Sequence, residues 1–183
     1  MDIIIGIDPS INNTGVCMYD GEKHIYYIIT SKLTRKMQNF SNKFVNILCY
    51  NKKDCKGLDY SEKEYNKFDN IYNICLILED IIRKYNPSLV VMEGVSYGSV
   101  GSAALVDLSF LNSAIRMILK KNDIAFKIVS PTSLKKFACA NGQAEKDIII
   151  DAWKRLDKNI NNISDIKIDD LADSYFLTHY NDG

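Results

Sequence analysis

Histidine is nearly missing from this sequence: His24 and His179 are the only two among 183 residues. The five cysteines are odd in number and include no Cys-x-x-Cys pair. That usage does not make a disulfide framework, and no histidine neighbours Cys49 or Cys55 to build a zinc site. Net charge is missing too. Lys and Arg total 23 and Asp and Glu total 23, so the chain as a whole offers no cationic excess to a polyanion. No apolar run approaches the roughly 18 residues that would span a membrane. The start runs directly into Ile3-Ile4-Ile5 without a signal-peptide pattern. An intracellular, cytoplasmic protein without membrane contact is expected. Internal repeats and low-complexity segments are also lacking.

What is present describes a folded protein. Hydrophobic residues make up 46% and charged residues 25%, enough apolar material for a real core. One domain over 1–183 is the expectation. The charges are segregated. From Lys32 to Lys56 seven basic residues face only Asp54, and from Arg116 to Lys146 seven face only Asp123 and Glu145. Acids gather between Asp157 and Asp173. A dipolar surface of this sort can hold DNA at one face while the whole chain stays neutral.

The element pattern begins with strands at Asp2–Ile7, Gly15–Tyr19 and His24–Thr30, the last two joined by an Asp20-Gly21 turn. The region of about 32–66 has weak periodicity and reads as an insertion, with a helix expected near Phe40–Leu48 and a loop at Asn51–Asp59. Helical spacing is clear over Phe68–Tyr85, where Ile71, Ile74, Cys75, Leu78, Ile81 and Ile82 recur at three and four. A strand at Leu89–Met92, a helix at Ser102–Lys121 and a strand at Phe126–Val129 follow. Ser130-Pro131 then marks a helix start, and helices are expected at Ala144–Leu156 and Ile168–Tyr180. A meander followed by alternating strands and helices predicts an α/β fold with a mixed central sheet flanked by helices.

Four carboxylates occupy positions suited to chemistry. Asp8 and Glu93 end strands, where open α/β sheets carry their functional groups. Asp170 and Asp173 are three apart on a helix, so both project from one face. Asp169 points about 100 degrees away and reads as surface or helix start. An all-oxygen set suits a hard cation such as Mg²⁺ or Mn²⁺. The plainer reading is that each acid caps a turn or faces solvent; the combination carries the case.

Four segments resemble the motifs of RuvC-type Holliday junction resolvases, within the RNase H-like nuclease superfamily. They are Ile5-Gly6-Ile7-Asp8-Pro9-Ser10 through Gly15, Leu89-Val90-Val91-Met92-Glu93, Ser133-Leu134-Lys135 with Gly142–Lys146, and Asp170-Leu171-Ala172-Asp173-Ser174. The resemblance covers most of the chain outside about 32–66. Ser10, Gly94 and Ser174 depart from the usual pattern, which points to a divergent, phage or viral branch acting in a host cytoplasm. An RNase H-like fold is implied, as are two Mg²⁺ ions held by Asp8, Glu93, Asp170 and Asp173. Paired symmetric nicks in four-way or other branched DNA, leaving 5′-phosphate and 3′-hydroxyl ends, are implied as well.

Lys146 is then a candidate catalytic cation, with Lys135 and Lys136 beside it as DNA contacts. Tyr97 and Ser99, in the glycine-bearing segment after Glu93, are candidates to meet unpaired bases. The helix Ser102–Lys121 is apolar on more than one side, which suits a homodimer interface, and two-fold symmetry matches a four-way junction. Competing readings are a monomeric RNase H-like or YqgF-type nuclease acting on RNA, and a non-catalytic junction-binding protein. A sugar-kinase or chaperone-type ATPase shares the opening motif but needs a second lobe.

Overall fold

A computed structural model describes residues 2–40, 44–95, 102–160 and 169–180. Its centre is a six-stranded mixed sheet in the order β4-β3-β2-β1-β5-β6. Strands β1 (Ile4–Asp8), β2 (Asn13–Tyr19) and β3 (His24–Thr30) form the expected antiparallel meander. The turn at Gly21 adopts φ 95°, a left-handed conformation that glycine takes without strain. Strands β5 (Leu89–Glu93) and β6 (Phe126–Val129) add in parallel beside β1.

The 32–66 region departs from expectation. A helix had been expected near Phe40–Leu48; instead a short helix α1 (Arg35–Phe40) precedes a strand, β4 (Val45–Cys49). Strand β4 pairs in parallel with β3, from Tyr26↔Val45 to Thr30↔Cys49. Its apolar spacing fits either period, and the free edge of β3 decides for strand, as tertiary context commonly does. Helix α2 (Tyr60–Tyr85) starts well before Phe68. Its cap is Asp59, whose carboxylate accepts from the Glu62 N–H at 2.8 Å. Exposed Tyr60 and Tyr65 carry no apolar stripe there, so periodicity could not reveal the first turns. Asn86, at φ 42°, ends the helix before Pro87.

Helices α2 and α3 (Ser102–Lys121) cover one face of the sheet. The alternating residues Ile5, Ile7, Val16 and Ile29 point to that face and pack on Ile74, Leu78, Leu111 and Ile115. The opposite face carries α4 (Pro131–Cys139), α5 (Lys146–Leu156) and α6 (Asp169–Thr178) over Cys17, Tyr26 and Val91. Ser130 caps α4 by accepting from Ser133 N–H at 3.1 Å, with Pro131 in the first turn, as anticipated. All five cysteines are free thiols. Among the described residues no helix is long and apolar enough to cross a membrane.

Candidate active site

Asp8 closes β1 and Glu93 closes its parallel neighbour β5, four strands later in the chain, so both carboxylates reach the same end of the sheet. Alternation turns Asp8, like Gly6, toward the face covered by α6. Why α6 comes so near is written in two glycines. A Cβ at Gly6 would collide with the carbonyl of Ser174, and one at Gly15 would collide with the carbonyl of Asp170. Gly15 stands directly opposite Asp8 in the β1–β2 ladder. Bare backbone at these two positions therefore lets α6 lie against the sheet and lowers Asp170 and Asp173 beside Asp8. Ser174, fully buried, satisfies its hydroxyl by donating to Leu171 O at 2.8 Å.

The four acids sense one another strongly. Burial, then Glu93, Asp173 and Asp170, raises the Asp8 carboxyl well above its ordinary range. The charge of Glu93, next after burial, disfavours ionisation of Asp8, so the two carboxyls do not readily lose both protons. Burial chiefly raises Asp173 to about 8, with Glu93, Asp169 and Asp170 adding to it, and Asp170 to about 7, with Asp169 adding. Such values mark acids gathered out of water with too little positive charge among them.

Lys135, on α4, faces Glu93 and Asp173 closely enough to favour their charged forms. Lys136, the next residue, is exposed in the last turn of α4. Lys146 begins α5 and forms an ion pair with Asp169. Asp169 is the first residue of α6, as one of its two sequence readings had it. It is nonetheless more than surface, because it acts electrostatically on Glu93, Asp170 and Asp173. Its 100-degree offset hid this, since a helix start brings side chains of several directions toward the end of the sheet. Asn112 is a further residue that sequence reasoning passed over. Buried in α3, it donates to the Glu93 carbonyl at 2.9 Å and accepts from Arg116 at 2.5 Å, fixing the end of β5. Tyr97 and Ser99 lie outside the described residues.

As placed, no three His, Cys, Asp or Glu side chains among the described residues stand close enough to hold one metal ion. The donor set nevertheless fits a hard cation in kind: it is all carboxylate, largely buried, and short of positive charge to offset it.

No protein-family profile matches the chain. Curated relatives do. The crossover junction endodeoxyribonuclease RuvC of Orientia tsutsugamushi (strain Ikeda) is 28% identical over 173 residues, 94% of this chain and 92% of that protein. The protein of the same name from Brachyspira hyodysenteriae is 24% identical over 172 residues, 94% and 88% of the two chains. The chain is RuvC-like. Its fold agrees: Thermus thermophilus RuvC, solved in complex with Holliday junction substrate, superimposes with a TM-score of 0.60 at 13% identity, covering 97% of this chain and 91% of that one. The RNase H-like mixed sheet expected from the motifs is therefore the fold of this RuvC-like chain, with β4 at the edge of the sheet beside the meander.

Proposed function

We propose that the chain is a structure-selective endonuclease that resolves Holliday junctions and other branched DNA by paired nicks, acting in the cytoplasm. The observation that carries this reading is the carboxylate cluster. Asp8, Glu93, Asp170 and Asp173, far apart in sequence, are drawn to one end of the sheet by the close seating of α6, in a chain whose curated relatives are junction endonucleases.

Those four side chains would hold divalent cations, two Mg²⁺ ions in this reading with Mn²⁺ able to substitute, which supply Lewis-acid activation of water and of the scissile phosphate. The chain's own residues do the rest. Asp8, most deeply buried of the four, sits centrally between the strand-end Glu93 and the helical pair. Lys135 places a cation where the scissile phosphate would approach Glu93 and Asp173. Lys146 is held ready by Asp169 and can exchange that carboxylate for a phosphate oxygen. Lys136, Tyr97 and Ser99 extend the DNA contacts outward in this reading.

A second copy of the chain completes the enzyme, since a four-way junction needs two cuts related by two-fold symmetry. Helix α3 leaves Val106, Phe110 and Met117 exposed, on the side away from its buried Leu111, Ile115 and Leu119. We place the dimer contact on that helix.

The test is cleavage of a synthetic four-way junction in Mg²⁺ by the wild type and by Asp8→Asn. Paired symmetric nicks are expected from the wild type, with binding but no cleavage by the variant. Equal cleavage by both would remove Asp8 from the machinery. Cleavage of RNA–DNA hybrids in preference to junctions would favour the RNA-directed reading.

A further inference from the structure

A cavity of about 780 Å³ opens at the same end of the sheet as the carboxylates but on the opposite, α2-covered face. The loop between Asp8 and Asn13 separates the two, since Asn13 lines the cavity while Asp8 faces α6. Residues 32–37 and 52–55 supply part of the cavity's wall, and Thr30, Ser31 and the α2 residues Lys67, Asn70 and Ile71 another part. Its shape is held by hydrogen bonds: Tyr50 donates to Ile11 O at 3.0 Å. Buried Asn70 accepts from Lys53 N–H at 2.8 Å and donates to Lys53 O at 3.0 Å.

Its lining combines apolar, amide and lysine side chains with two carboxylates, Asp54 and Asp107, the latter paired with Lys67. Ile11, Met37 and Ile71 supply an apolar wall. Asn12 and Asn13 offer side-chain amides that make no hydrogen bond among the described residues. Four lysines also line it, but Lys53 is paired with Asp69 and Lys67 with Glu64 and Asp107. Lys32 and Lys52 are exposed and have no carboxylate partner among the described residues. An apolar wall takes the face of a base, free amides read its edge, and unpaired lysines take phosphate. The volume falls within the range of small-ligand pockets, of roughly 300–1,000 Å³. A duplex cannot enter such a cavity, whereas a nucleotide at a branch point has already lost part of its stacking and is cheap to extrude.

We propose that this cavity receives one unstacked nucleotide of the branched DNA, placing its strand across the 9–12 loop toward the carboxylates. The inference rests on the reading of the chain as a branched-DNA nuclease, and it gives the 32–66 region a substrate-binding role. A free mononucleotide shares the same chemistry; continuity with the carboxylate end of the sheet favours the DNA strand.

Junctions carrying a fluorescent adenine analogue beside the branch test this, with Asp8→Asn as the non-cutting background for binding. Extrusion into the cavity should raise the analogue's fluorescence on binding. Lys32→Ala with Lys52→Ala should lower the slope of log affinity against log salt by about two. Asn12→Trp, an exposed position that fills the cavity mouth, should suppress the fluorescence rise and slow junction cleavage in the otherwise wild-type chain. All three positions are on the surface, and melting curves matching the parent's would show that the variants fold. Junction binding and cleavage indistinguishable from the parent in these variants would overturn the cavity assignment while leaving the nuclease reading intact. Binding of dAMP to the cavity without any junction-dependent fluorescence would also overturn it. A wild type that neither binds nor cuts junctions would remove both.

Discussion

Asp173 shows at the scale of one residue what the proposed metal cluster would trade in stability. Burial and neighbouring Glu93 raise it to about 8, so its charge is unwelcome at neutral pH unless a cation is present. Replacing it with asparagine keeps the shape and removes the charge. In chelator, Asp173→Asn is expected to melt a few degrees higher than the wild type, while cleavage in Mg²⁺ falls on the order of a thousandfold. A lower melting temperature in chelator would mean that Asp173 holds the fold rather than serving the cluster. The positions of the four carboxylates were legible, because strand ends and helical spacing can be read from the pattern of the chain. Asp169 and Asn112 were not. Asp169 differs from its neighbour only by a helical rotation, and Asn112 acts through the Glu93 backbone, which no side-chain pattern records.

Helix α6 is positioned at both ends, and each end carries a prediction. At its start, Gly15 leaves no room for a methyl group against the Asp170 carbonyl, and a backbone atom cannot swing aside as a side chain can. Gly15→Ala should cost about 1–3 kcal/mol by overpacking and should abolish junction cleavage although every carboxylate remains. Denaturant unfolding and the junction assay together check it; an active, fully stable variant would show that α6 is not seated as described. At the far end, His179 follows the helix and meets His24 of β3, with their Nε2 atoms 2.9 Å apart. Burial chiefly lowers His24 from 6.5 to about 4; His179 also disfavours its charge, while Asp157 and Asp20 favour it. The folded state thus prefers neutral His24, so its stabilisation is complete above about pH 6.5 and is lost as pH falls toward about 4. His24→Gln should remove this contribution. The variant's melting temperature should then gain on the wild type's as pH falls across that window, whatever trend the raised carboxyls of the cluster impose on both. Identical profiles would clear the pair of any role. These histidines stand at opposite ends of the chain, and no spacing announced their meeting. Strands and helices with a clear period, such as β1 to β3 and α3, were legible for the opposite reason. The edge strand β4 was not, because its apolar residues suit both periods and only the open edge of β3 selects one.

Across the whole molecule, zero net charge conceals a division of surfaces. Carboxylates and their lysines gather at one end of the sheet, and part of the exposed apolar surface lies on the outer face of α2 and α3. On that face Val106, Phe110 and Met117 of α3 are joined by Phe68, Tyr72 and Leu76 of α2, all more than a third exposed. The two helices are tied together by Lys67 and Asp107 at 3.2 Å, so the exposed side chains form parts of one surface. An apolar patch of that composition is costly in water and characteristic of a contact with another protein. In an isologous dimer it would meet its own copy and leave both carboxylate clusters free for DNA. On the proposal that the wild type is a dimer, Phe110→Glu should yield a monomer by light scattering at concentrations where the wild type associates. The variant should retain its carboxylate geometry and cut junctions on one strand at a time, because two simultaneous incisions need two linked sites. Paired incision by a monomeric variant would separate symmetry from mechanism, and an unchanged dimer would move the contact off α3.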